Sequence, residues 1–400
     1  MTSVGDESLP EPKLTRLGRR EVIQSVVGFA IALALLIFGM PLVVGTTWTE
    51  IGAQLSMVGW QASAVMLGLM LAGLYCYTYT LIGSLPGLSH IRALMVNAAG
   101  SMVSNILPGG GAVGVAISYV MYRSWGFSRS NISTSLVVTG VWNILARVAL
   151  PVLGMAVIVW WPVEAPTSII AVSVLAGAAG TALIVLFALA IYSDRISHAL
   201  GHWISKLFRP FSRRIRAGAD ISHIIQDQRA RMSTVVGKHS IKMTLGLVGM
   251  FGFFFILYWV ASRTVGLDLP VYMLFAAYAF RQFLTVIAIT PGGLGITEVG
   301  TAGILVAFGG DPGAASAAAL LYAVFTNLLS VPLGLTAWSI WWFGPKNKAR
   351  PTGQLRRNLR SKDATAPSGA AAPPAPEPAA EPADEASQHD PELRAQRRSS

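Results

Sequence analysis

Apolar residues run through this chain in stretches of about 20, each long enough to cross a hydrocarbon core of about 30 Å as a helix. The clearest are 22–44, 168–192 and 243–261. Read in order, the pattern predicts six full spans, at about 22–44, 63–84, 132–160, 168–192, 243–262 and 314–343. Two further apolar regions, about 91–123 and 271–308, are broken in the middle. The first break is Leu107-Pro108-Gly109-Gly110-Gly111, and the second is Thr290-Pro291-Gly292-Gly293-Leu294-Gly295. Pro removes a backbone donor and Gly loosens the helix, so each break predicts a kink followed by a half-helix, starting near Ala112 and Ile296.

Charge decides how the broken regions sit. The segment 193–242 reads as a long loop carrying ten basic residues. Basic loops are retained on the cytoplasmic side. If region 91–123 crossed once, Arg123, Arg129 and that basic loop would all lie outside. If it dips in and returns, Arg92, Arg123, Arg129 and the basic loop are inside, while Glu50 and Glu164 are outside. The second broken region must then enter and leave from outside, with Arg263 as a mild misfit. The predicted fold is therefore an all-α polytopic membrane protein, with six full spans and two re-entrant hairpins arranged as inverted-topology repeats. Residues 1–21 are a basic cytoplasmic lead, 22–160 the first repeat, 161–343 the second, and 344–400 a basic, then Ala/Pro/Glu-rich disordered cytoplasmic tail. Weak echoes support the repeat. Pro151 matches Pro332, and Trp160-Trp161 matches Trp341-Trp342, at nearly the spacing that separates the two Pro-Gly-Gly strings.

Composition agrees. Of 400 residues, 53% are hydrophobic and only 12% charged, against about 25% charged in soluble domains. Mean hydropathy is +0.56. The net charge of +11 lies in loops beside apolar segments, so it marks orientation and not a nucleic-acid partner. One cysteine, Cys76, excludes an internal disulfide, and no Cys/His cluster suggests a metal. Arg19-Arg20 precedes an apolar run too long for a signal peptide and reads as an orientation anchor of a retained span. Residues 195–211 place their apolar side chains on one helical face, as an interfacial helix does.

The breaks are the candidate chemistry. Irregular backbone at membrane depth survives only where protein buries it or water reaches it. Paired interruptions in two halves point to a transporter site. Half-helix N-termini aimed inward favour an anion, here a lipid phosphate. The run from Gly109 to Gly114 fits G-x-G-x-x-G, but without a preceding strand it is no dinucleotide site. Ionisable residues inside a membrane are functional candidates by default. Glu298 stands out, one turn after the second break, placed to contact a headgroup amine, relay a proton or pair with Arg281. Arg147, deep in its span, could meet a phosphate or free carbonyls. Asn97, Asn105, Asn143 and Asn327 read chiefly as helix–helix hydrogen bonds. The candidate binding set is Glu298, Arg281, Arg147, Asn105, Pro108, Gly109, Gly110, Gly111, Thr290, Pro291, Gly292, Gly293 and Gly295, with no catalytic or metal-binding residue and no cofactor.

The strings Asn105-Ile106-Leu107-Pro108-Gly109-Gly110-Gly111 and Thr290-Pro291-Gly292-Gly293-Leu294-Gly295-Ile296-Thr297-Glu298 resemble the lysylphosphatidylglycerol synthase transmembrane region family, also called the UPF0104 or flippase-domain family, over roughly 20–345. The resemblance implies a lipid-translocating domain with paired re-entrant elements and makes Glu298 the family's motif glutamate. Where the family often has an arginine after a Leu-Leu-Tyr stretch, this chain has Ala323 after Leu320-Leu321-Tyr322. Bifunctional members add a soluble aminoacyl-transfer domain, in place of which this chain has a short low-complexity tail, so no lysyl transfer is expected. The expected function is movement of an anionic, aminoacylated or polyprenyl-linked lipid across a bacterial inner membrane. The alternative is a scaffold for a separately encoded lipid-modifying enzyme or glycosyltransferase.

Overall fold

The computed structural model describes residues 19–107, 110–160, 177–178, 180–182, 221–285 and 290–344. Two units divide the chain, Met1–Ala349 and Arg350–Ser400, and every described element belongs to the first. All elements among the described residues are helical.

Helix α1 (Arg19–Gly39) continues through a π-helical turn, Met40–Val44. A short helix α2 (Trp48–Ser56) precedes α3 (Trp60–Ser84). The first broken region becomes α4 (His90–Ile106) and α5 (Gly110–Ser124), and α6 (Arg129–Trp160) follows. Then come α7 (Ile221–Thr264) and α8 (Val271–Leu284), a 3-10 turn at Pro291–Gly293, and α9 (Ile296–Ala307). The last apolar stretch is α10 (Pro312–Ala323), a π-helical turn Val324–Leu328 and α11 (Ser330–Phe343).

Five stretches are long and apolar enough to cross a membrane: Val26–Val44, Trp60–Ser84, Arg129–Trp160, His239–Thr264 and Pro312–Phe343. They correspond to five of the six expected spans. The sixth, 168–192, lies outside the described residues except for the helical positions 177–178 and 180–182, as do the interfacial helix 195–211 and the tail. One reading needs correction. The segment 193–242 is not loop to its end, because α7 begins at Ile221 and runs unbroken into the span. The link between the first two spans contains the short helix α2.

Helix α2 forms because Thr47 and Glu50 make a reciprocal capping box: the Glu50 N–H donates to Thr47 Oγ1 at 3.3 Å, and the Thr47 N–H donates to Glu50 Oε2 at 3.0 Å. The Thr46 hydroxyl donates to the same oxygen at 2.9 Å. The Thr47 N–H first, and the Thr46 hydroxyl second, hold the Glu50 carboxyl below the usual carboxylate range. A lowered folded-state value means that the cap's contribution is complete above the unfolded value and is lost as pH falls through the folded one. Thermal scans in detergent should therefore find wild type more stable than Glu50→Gln at neutral pH, with the gap closing on acidification through that range.

Packing in the bundle relies on small residues that let backbones approach. Antiparallel α3 and α7 meet where a Cβ added at Gly246 would lie 2.8 Å from the Thr80 nitrogen and 2.9 Å from the Cys76 carbonyl. Cys76 also packs on Gly249. Helices α4 and α5 run antiparallel: a Cβ at Gly114 would lie 2.8 Å from the Gly100 carbonyl, and Ser104 Oγ donates to the Gly110 carbonyl at 3.2 Å.

Both ends of the α4–α5 hairpin lie beside the C-terminal end of α3. Ser84 Oγ at that end is 2.7 Å from Ser135 Oγ, Gly87 faces Phe127, and the Arg92 guanidinium stands 5.3 Å over Trp125. The ends of the α8–α9 hairpin also meet, but near α2. Gly310 abuts Leu267 and Leu269, Gly266 faces Gln54, and Gly313 faces Glu50. Since α2 leads directly into α3, the second hairpin opens at the N-terminal end of α3.

Candidate functional site

The last turn of α4 meets the turn that precedes α9. Gly292 has a φ of 60°, a left-handed conformation that glycine adopts freely. A Cβ there would lie 2.8 Å from Asn105 Oδ1 and 3.3 Å from Asn105 Cα. Gly295, at φ 86°, packs so tightly on α1 that a Cβ would fall 2.7 Å from the Ala32 carbonyl and 3.0 Å from Leu35 Cβ. Ala32 and Leu35 lie in the interior of the Val26–Val44 apolar stretch.

Each hairpin also packs on the last long helix of the other half. Asn105 Nδ2 donates to Ser330 Oγ at 2.8 Å and to the Asn327 carbonyl at 3.3 Å, so α4 is tied to the π-helical turn before α11. Gly334 on α11 admits Met102 and Ala98 of α4. In the other half, Gly154 on α6 admits Ala279 and Ala276 of α8. Pro151, inside α6, has no N–H to offer the carbonyl of Arg147 four residues back.

Glu298 is the best-bound residue at the second turn and is 1% exposed. Its Oε2 accepts the Gly295 N–H at 2.6 Å, and its Oε1 is 2.8 Å from the Thr297 hydroxyl. That hydroxyl also lies 3.0 Å from the Gly293 carbonyl, and its single proton serves one acceptor at a time. The carboxylate thus caps α9 at the positive end of the helix.

Arg281, on the last turn of α8, is 5% exposed. Its Nη2 stands 3.7 Å from Glu298 Oε1, close enough for an ion pair but too long for a hydrogen bond. Its guanidinium lies 4.5 Å over the Tyr322 ring, a cation–π contact. Its buried Nε has no hydrogen-bond partner among the described residues. Tyr258, Tyr278 and Tyr322 pack ring to ring around it, with centroids 5.4 to 6.3 Å apart. The Tyr278 hydroxyl donates to the Phe251 carbonyl at 3.0 Å, while the Tyr258 hydroxyl has no partner among the described residues.

Arg147, partly exposed in the middle of α6, donates to the Thr285 hydroxyl just past the end of α8. It lies within electrostatic reach of Arg281, Tyr278 and Tyr322. No carboxylate among the described residues forms an ion pair with it. One turn away, Asn143 Nδ2 donates to the Tyr77 hydroxyl at 2.8 Å.

The structure thus brings Glu298 and Arg281 together, sets Arg147 across the α6–α8 contact, and uses Asn105 as a helix-to-helix tie. Asn143 is a tie as well. Pro108 and Gly109 lie outside the described residues. Gly110 is buried at the start of α5 and Gly111 is exposed. The turn amides are less available than a bare half-helix end would make them. The Gly110 N–H donates to Leu107, the Gly293 N–H to Thr290, and the Gly295 N–H to Glu298. Thr290 Oγ1 donates to the Leu294 carbonyl at 2.8 Å, closing the turn that begins at Pro291. The tyrosines and Thr285 escaped the sequence reading. Tyr278, Arg281 and Gln282 share one helical face by their spacing, but tyrosine on an apolar face reads as packing. Tyr322 comes from a distant segment. Among the described residues, no three His, Cys, Asp or Glu side chains cluster as a metal site would require.

Residues 25–334 match the family model described as the lysylphosphatidylglycerol synthase TM region. No curated protein matches the chain. With five apolar helices of spanning length and a family match over most of its sequence, this chain is a multi-pass integral membrane protein and belongs to the lysylphosphatidylglycerol synthase transmembrane region family.

Proposed function

We propose that this protein carries a phosphate-bearing lipid across a bacterial cytoplasmic membrane, binding the headgroup between two re-entrant hairpins. The single observation that carries this reading is Arg281: a nine-tenths-buried guanidinium whose Nε lacks a partner among the described residues and whose counter-ion stands beyond hydrogen-bonding distance. Such a group is costly to bury, so it is expected to serve a ligand. Arg147 would share the phosphate, and Asn105 would hold the tip of the first hairpin beside it. An anionic, aminoacylated or polyprenyl-linked lipid would each supply the phosphate.

Several contacts support the re-entrant, inverted arrangement. The hairpins open at opposite ends of α3, the last turn of α4 touches the turn before α9 at Asn105 and Gly292, and Gly334 and Gly154 make corresponding crossings in the two halves. In this reading the repeats are 22–160 and 161–343, the sixth span is 168–192, and both termini face the cytoplasm with the basic segment 193–242. The chain acts by binding and moving lipid, without group transfer.

Arg281→Gln and Arg147→Gln should each slow translocation of a fluorescent phospholipid in reconstituted vesicles, by roughly tenfold or more if each loses a charge-assisted bond worth about 1.5–3 kcal/mol. Unchanged rates in both variants would remove the guanidiniums from the pathway. Absence of transport by the pure wild-type protein, with a lipid-modifying enzyme co-purifying, would favour the scaffold reading instead.

A further inference from the structure

Away from their ends, the apolar segments contain only three charged residues: Arg147, Arg281 and Glu298. The segment 168–192 and positions 286–289, outside the described residues, hold no Asp, Glu, Lys or Arg. Two guanidiniums against one carboxylate leave one positive charge uncompensated within the apolar segments. A net charge in a low-dielectric interior is costly, and a ligand that neutralises it gains that energy back on binding.

The geometry divides the three charges into separate tasks. Glu298 is already engaged by the Gly295 N–H, the Thr297 hydroxyl and Arg281 at 3.7 Å. It occupies the anion seat that the start of α9 would otherwise offer. Arg281 keeps a buried Nε with no partner among the described residues, and Arg147 has a neutral hydroxyl as its described hydrogen-bond partner. The cations are therefore left one counter-ion short, while the one carboxylate is built in.

We propose that Glu298 is the site's resident anion and sets the headgroup charge that the protein accepts: a lipid with one net negative charge, that is, a phosphodiester whose remaining headgroup is neutral. This rests on the lipid-binding reading above and narrows it. A phosphomonoester or diphosphate lipid brings two or more negative charges and leaves the filled site negative. A zwitterionic or aminoacylated lipid leaves it positive. Only the monovalent anion leaves it neutral.

The test is lipid preference, read by native mass spectrometry of the full chain offered equimolar phosphatidylglycerol, phosphatidic acid and phosphatidylethanolamine at mildly alkaline pH. Wild type should retain phosphatidylglycerol over each of the others by at least about tenfold, which corresponds to about 1.4 kcal/mol. Glu298→Gln raises the interior charge by one and should turn the preference towards phosphatidic acid. Arg147→Gln leaves every Glu298 contact intact and lowers the charge by one, so it should turn the preference towards phosphatidylethanolamine. It keeps the test decisive if Glu298→Gln does not fold. Equal retention of the three lipids by wild type, or a preference that neither variant moves, would overturn the charge rule. Transport in vesicles is judged separately: charge-ordered binding without translocation would sink the transport reading and leave the selectivity standing.

Discussion

Glu298→Leu should destabilise the protein by about 3–5 kcal/mol, the usual cost of leaving one member of a buried ion pair without its partner. Three losses combine. The Gly295 N–H loses its acceptor at 2.6 Å, the Thr297 hydroxyl loses one of two acceptors, and Arg281 loses its counter-ion at 3.7 Å. Arg281→Met alone should cost less, because Glu298 keeps its two hydrogen bonds and the methionine still packs on Tyr322. The double variant, Glu298→Leu with Arg281→Met, should be more stable than Glu298→Leu alone, since no buried charge is left unpaired. Thermal unfolding in detergent measures all three. A double variant no more stable than Glu298→Leu would mean that the pair is not energetically coupled. If the pair served only as a brace, the double variant would recover lipid translocation along with stability. A binding role requires that translocation stay lost.

Gly334→Ala should have the next largest effect, about 1–3 kcal/mol or more, because its methyl has no room. The new Cβ would lie 2.3 Å from Met102 Cβ and 2.7 Å from the Ala98 carbonyl, so α4 and α11 would have to separate. Gly154→Ala makes the corresponding change in the other half, at 2.8 Å from Ala279 Cβ, and should cost less because only one side-chain methyl is that close. The two glycines share no neighbour, so the double variant should show a nearly additive loss. All variants are compared in one detergent. An unchanged Gly334→Ala melting temperature would mean that α4 and α11 separate at no cost, contrary to the close packing of the hairpin on the last span.

The backbone plan was open to reading because membrane helices leave few alternatives. A run of apolar residues must satisfy its own backbone, so length and hydropathy alone locate α3, α6, the apolar part of α7 and the last span to within a few residues. The Pro-Gly-Gly strings located both hairpin turns. The short helix α2 was missed because nine residues with modest apolar content read as loop, although Thr47 followed by Glu50 is a capping-box signature. The helical continuation of α7 back to Ile221 was missed because a dense run of basic residues reads as a solvated loop, while charge alone does not stop a helix.

At the candidate site, residue types were legible and partners were not. Glu298 and Arg281 stand out in sequence because ionised groups inside apolar stretches are rare. Their pairing could be offered only as one choice among several, since 17 positions along a broken helix fix no distance. That Glu298 would take the Gly295 amide, and leave Arg281 without a hydrogen bond to it, depends on the turn's left-handed glycines and on the seating of that turn against α1.

From the sequence alone come the membrane class, the helical architecture, the two breaks and the three interior charges, because hydropathy, proline and ionisable side chains act locally. The tertiary structure decided which charges face each other, that the end of α4 touches the second turn, and that Tyr322, Thr285 and Ser330 complete the surroundings. Those outcomes depend on contacts between segments far apart in the chain, and their geometry is set by how closely glycine lets one backbone approach another.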